Sequence, residues 1–148
     1  MVLLLFYLAA VTAPLCATDL IERRLPNRLV VPGYLVAVLG LALDSVRSAL
    51  PVLALVSGAA YFAVLLVFAL AGGMGMGDVK LAGLLGLAAG GLGPGVALAS
   101  PIAAFLLGGV AAVVALARGW SRSIPFGPFL LAGFWVAALV LSPGGSST

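Results

Sequence analysis

The chain carries four carboxylates, Asp19, Glu22, Asp44 and Asp78, among 148 residues that are 64% hydrophobic and only 7% charged. It has no histidine, one lysine (Lys80) and a single cysteine, Cys16. Imidazole catalysis, disulfide frameworks and zinc sites of the C-x-x-C kind are thereby excluded, and no metal or cofactor is expected. Acid–base chemistry falls to the carboxylates. Two of them a few ångströms apart cannot both ionise, and they titrate as a pair sharing a proton. The ionised member then activates a water as general base, while the protonated member polarises a carbonyl. Which acids come together depends on the elements that hold them.

Soluble domains are about 25% charged, so a chain at 7% is read as a membrane protein. Apolar runs approaching the roughly 20 residues that cross a bilayer fill most of it, and the short alternating strands of a membrane β-barrel are absent. The expected class is all-α, a polytopic membrane protein of about six transmembrane helices forming a single domain over residues 1–148. Splitting at charges and at Gly/Pro clusters gives spans of about Val2–Leu20, Leu29–Leu43, Leu50–Ala71, Val79–Ala89, Val96–Ala117 and Pro125–Leu141. "GGLGPG" (Gly90–Gly95) reads as a tight turn between the fourth and fifth. Small residues at Gly83 and Gly86, and at Gly108 and Gly109, are expected to admit close helix neighbours.

Six of the seven basic residues (Arg23, Arg24, Arg28, Lys80, Arg118 and Arg122) fall in loops on one side, and only Arg47 falls on the other. By the positive-inside rule the crowded side is cytoplasmic and the amino terminus is outside. No basic residue precedes the first apolar run, so that run reads as a membrane helix rather than a cleaved signal peptide. Scattered singly, the basic residues set orientation, and no nucleic-acid partner is expected. Cys16 reads as a small packing residue.

This topology brings Asp19, closing the first helix, and Asp78, opening the fourth, to the same face at similar depth. Acids at such depth mark function by default. Two other readings stay open: Asp19 as an interfacial residue pairing with Arg23, and Asp78 as a first-turn acid favoured by the helix dipole. Asp44, beside Arg47, reads as a solvated turn residue, and Glu22 as a solvated loop residue. Gly72, Gly73, Gly75 and Gly77 permit positive φ. Irregular backbone at membrane depth needs protein or water around it, and beside an acid it could pair with an extended segment by strand addition. An ordinary glycine turn is the simpler alternative.

Three motifs resemble those of the type IV prepilin peptidases. "GMGMGDVKLAGLLG" resembles their G-x-G-D signature, here Gly75, Gly77 and Asp78 followed by Lys80. "DLIERRLPNRLVVPG" resembles the segment bearing their first catalytic aspartate, which maps to Asp19, and "IPFGPFLLAG" resembles their carboxy-terminal "PFGPF" element. The resemblance implies a membrane aspartic endopeptidase with Asp19 and Asp78 as the catalytic pair. Its substrates would be prepilin or pseudopilin precursors, losing a short basic leader at the cytoplasmic face of the inner membrane. Water attack would proceed without a covalent intermediate. Gly75, Gly77, Lys80, Pro125, Phe126 and Gly127 would bind substrate or shape the site, Lys80 serving equally as an interface anchor. The paired C-x-x-C motifs of larger relatives are missing, so peptidase activity without methyltransferase activity is expected. Three alternatives were weighed: a small transporter using the two aspartates as ion sites, a presenilin-like protein sharing G-x-G-D, and an inactive scaffold. Both acids lie at one face with no polar path across, which speaks against the first. The short chain and the third motif speak against the second, and the presence of both aspartates against the last.

Overall fold

The computed structural model describes residues 2–22, 26–44, 50–72, 74–119 and 125–141. Readings that fall on Arg23, Arg24, Arg47, Gly73, Arg122 and Ile124 lie outside the described residues. Six helices follow in order: α1 (Val2–Glu22), α2 (Asn27–Asp44), α3 (Leu50–Leu70), α4 (Met76–Leu92), α5 (Pro94–Ala117) and α6 (Gly127–Leu141). The all-helical membrane class read from composition is observed. The helices α1, α3 and α5 are long and apolar enough to cross a membrane, and α2 and α6 are shorter apolar helices.

Exposure is inverted relative to a water-soluble fold. Phe6, Leu35, Leu55, Leu106 and Leu139 are each more than half exposed, on five different helices. Such broad apolar surface suits hydrocarbon rather than water. The exception is α4, whose only exposed large apolar residue is Met76 at its start. It touches α2, α3, α5 and α6 and is buried along nearly its whole length. At 17 residues and 1.5 Å per residue it is about 25 Å long, a central post shorter than α3 and α5 beside it.

Small residues make that position accessible. A Cβ on Gly86 would lie 2.7 Å from the Ser57 carbonyl oxygen and 2.8 Å from Gly58 Cα, and one on Gly90 would lie 2.6 Å from Ala54 Cα. The α3 and α4 backbones therefore touch, as glycine-rich membrane interfaces allow. The same packing corrects the expected boundary. Gly90 and Gly91 are helical and buried, not part of a turn, because Gly90 is needed against α3. The turn shrinks to Gly93, at φ 130°, and Pro94 starts α5 at a first-turn position that suits its fixed φ. In α5 only one of the two adjacent glycines makes a close contact: Gly108 seats the Phe126 ring, whereas Gly109 faces open space.

Candidate active site

Leu4, Leu8, Val11, Leu15 and Asp19 form the buried set of α1. They recur every three or four residues, so Asp19 occupies the next position of the core stripe and points inward. It is 4% exposed. A lipid- or headgroup-facing residue would lie off this stripe, so the interfacial reading of Asp19 does not hold. Its Oδ2 accepts a 3.0 Å hydrogen bond from the Gly127 backbone N–H, a buried contact. That N–H is one of the donors a helix leaves unpaired at its amino terminus, and a carboxylate there is favoured by the helix dipole.

Asp78 lies in the first turn of α4, whose N-cap is Gly75. Its N–H bonds the Gly75 carbonyl at 3.1 Å, and its carboxyl in turn faces the Gly75 backbone N–H at the helix start. The side chain is 9% exposed, and its buried Oδ1 has no hydrogen-bond partner among the described residues. A buried acceptor left unmatched costs roughly 1–3 kcal/mol, so it is poised for a donor from outside the fold, such as a water or a substrate. Asp19 lies close enough to act on Asp78 electrostatically. The fold thus brings the two acids into one site, although they are 59 positions apart along the chain. The partners are unalike: Asp19 is held by the start of another helix, α6, whereas Asp78 meets only the start of its own and keeps Oδ1 unmatched among the described residues.

The glycines before Asp78 differ from expectation in detail. Positive φ occurs at Gly72 (82°). Gly75 has extended backbone, φ −79° and ψ 147°, and a Cβ there would meet only Asp78 Oδ2, at 3.8 Å. Gly75 is exposed and Gly77 partly buried. An extended strand-like residue with open space thus stands directly beside the carboxylate.

Lys80 points away from that space. Its Nζ donates to Asn27 Oδ1 at 3.2 Å, tying the start of α4 to the start of α2, and its carbonyl accepts a 2.7 Å bond from the Tyr34 hydroxyl. Asn27 belongs to the segment that resembles the first-aspartate motif, whereas Tyr34 lies outside the motifs. The signal available for Tyr34 was a hydroxyl inside an apolar helix, which must find a partner there. Glu22 is exposed, but it is the last residue of α1 rather than a loop residue.

Pro125 and Phe126 precede α6, which starts at Gly127, two residues later than the span drawn from sequence. The Phe126 ring packs against Phe105 (centroids 5.6 Å apart) and Phe129 (6.3 Å). With its seat on Gly108, it wedges the beginning of α6 against α5. Pro125 lines a cavity of about 310 Å³ together with Leu20, Val114, Arg118, Pro128 and Phe129. This recess is largely apolar, and Arg118 is the charged residue among its described walls.

No curated protein and no solved structure matches the chain. A family model described as the type IV leader peptidase family matches residues 3–142. That match spans all six helices, both aspartates and the Pro125–Gly127 turn. The chain therefore belongs to the type IV leader peptidase family, and it is a membrane peptidase of the kind that processes prepilin-type substrates.

Proposed function

We propose that the protein is an aspartic endopeptidase of the inner membrane, a single catalytic domain over residues 1–148. It removes the short basic leader of a pilin, Tad-type pilin or pseudopilin precursor at the cytoplasmic face. The observation that carries the reading is the pair of buried carboxylates Asp19 and Asp78, within electrostatic reach of each other and surrounded by apolar protein. Asp19, with Oδ2 held by Gly127 N–H, is the better-stabilised anion and serves as general base toward water. Asp78, whose Oδ1 lacks a partner among the described residues, carries the shared proton and donates a hydrogen bond to the scissile carbonyl. Water adds to that carbon while its proton passes to Asp19. The tetrahedral intermediate then collapses, the departing amine taking a proton from the pair. No enzyme–substrate covalent bond is formed.

The extended Gly75 backbone supports binding of the substrate as an added strand, which presents successive carbonyls to Asp78. Six basic residues against one between the two sets of loops support a cytoplasmic site. The test is co-expression with a precursor bearing a short basic leader before an apolar helix, followed by gel or mass analysis. Leader loss that depends on this protein is the expected result. An uncleaved precursor, with ion flux through proteoliposomes of the same protein, would replace the peptidase reading by a transporter.

A further inference from the structure

Trp135 sits near the middle of α6 and Thr12 near the middle of α1. Tryptophan ordinarily gathers at the edges of a membrane, where its N–H is wetted. Here the indole Nε1 donates instead to Thr12 Oγ1 at 3.0 Å. The same hydroxyl donates to the Leu8 carbonyl at 2.6 Å, so Thr12 is engaged both as donor and as acceptor. Seven residues further along α1 is Asp19, and eight residues back along α6 is Gly127, whose N–H holds the Asp19 carboxylate. At 1.5 Å per residue these separations are about 10.5 Å and about 12 Å. The two bonds are consecutive rungs of one antiparallel helix pair, two turns apart.

The rest of the packing explains why α1 needs such rungs. Gly133 brings α6 into backbone contact with Ala104 of α5, so α6 is fixed from its other side. No glycine occurs in α1, and its buried set besides Asp19 is apolar: Leu4, Leu8, Val11 and Leu15. Apolar side chains resist separation but resist sliding weakly, since dispersion is non-directional. A directional bond in hydrocarbon fixes register, because either group left alone there is unmatched.

We infer that Trp135 and Thr12 are positioning residues for Asp19: their bond sets the register of α1 on α6, so that Gly127 N–H meets the Asp19 carboxylate. This rests on the reading of Asp19 as general base.

The test compares Thr12→Val, Trp135→Phe, Thr12→Ser and their double Thr12→Val/Trp135→Phe with the parent protein in lipid nanodiscs. Tyr7→Phe serves as control, since it removes a different inter-helix bond of α1, to the Leu29 carbonyl on α2. The first readout is hydrogen exchange at the Gly127 amide. Thr12→Val and Trp135→Phe should each speed it about fivefold, whereas Thr12→Ser and Tyr7→Phe leave it unchanged. The second readout is cleavage of a peptide with a lysine-rich leader before an apolar segment. There kcat should fall about fivefold with KM within about twofold, and the double variant should be no slower than the worse single. Unchanged Gly127 exchange in both single variants would overturn the inference, as would equal exchange changes in Tyr7→Phe. Asp19→Asn in the same assay separates the two claims. If it cleaves normally, the catalytic reading fails, whereas the register claim stands or falls on exchange alone.

Discussion

The two aspartates are held by opposite means. Asp78 stands on α4, which is pressed into α3 through glycines: Gly86 and Gly90 leave no room for even a methyl group against Ser57, Gly58 and Ala54. Asp19 stands on α1, which has no glycine and is fastened by hydrogen bonds, Tyr7 to Leu29, Trp135 to Thr12 and Gly127 to Asp19. Close glycine packing dominates in the first half, with two bonds to α2 added to it, and directional polar contacts fix the second. Close backbone packing resists both separation and sliding, so Oδ1 of Asp78 can be left unmatched among the described residues. Where packing is looser, the acid itself takes part in the fastening. In the proposed mechanism this difference assigns the two aspartates different protonation duties.

The largest expected effect comes from the acids. Asp19→Asn and Asp78→Asn should each slow leader cleavage by about a thousandfold, measured on membranes with equal amounts of inserted protein. The next breaks the shape-fixed half. Gly86→Ala puts a Cβ against the α3 backbone on two sides, which cannot retreat as a side-chain end could. Thermal unfolding in detergent should show a loss of about 1–3 kcal/mol, with activity falling alongside. The rung variants Thr12→Val and Trp135→Phe come third, with their fivefold change in kcat. Lys80→Met, which removes only a partly exposed bond to Asn27, should lower the rate by about twofold or less. Gly109→Ala closes the series. Its Cβ meets nothing, and unfolding should show neutrality or a gain of about 0.5–1 kcal/mol, in contrast to Gly86→Ala.

Much of this organisation is legible in the sequence, for identifiable reasons. The class and the helix order follow from apolar run lengths, whereas the inward direction of Asp19 does not, because α1 is apolar nearly all round and its buried stripe appears only in the fold. The ends of α4 were not legible. Gly75 and Gly90 look like turn residues locally, yet one is an extended N-cap and the other a packing contact inside the helix. Gly108 and Gly109 are likewise indistinguishable in sequence. Only the Phe126 ring, arriving from the start of α6, separates them. The Gly127 bond to Asp19 spans 108 positions, and a backbone N–H has no signature of its own in a residue string. Trp135 and Thr12 did carry a signal, a polar atom in the middle of each of two apolar runs, which went unread because neither residue titrates.

The central claim is that Asp19 and Asp78 act as one unit. Its most direct measurement is the rate of leader removal by the parent, by Asp19→Asn, by Asp78→Asn and by the double variant, with one precursor in one lipid. Groups that act together lose nearly everything at the first substitution. Each single variant should therefore fall by about a thousandfold, and the double variant should be no slower than the slower single. Full cleavage by either single variant would contradict the account, as would losses that multiply in the double.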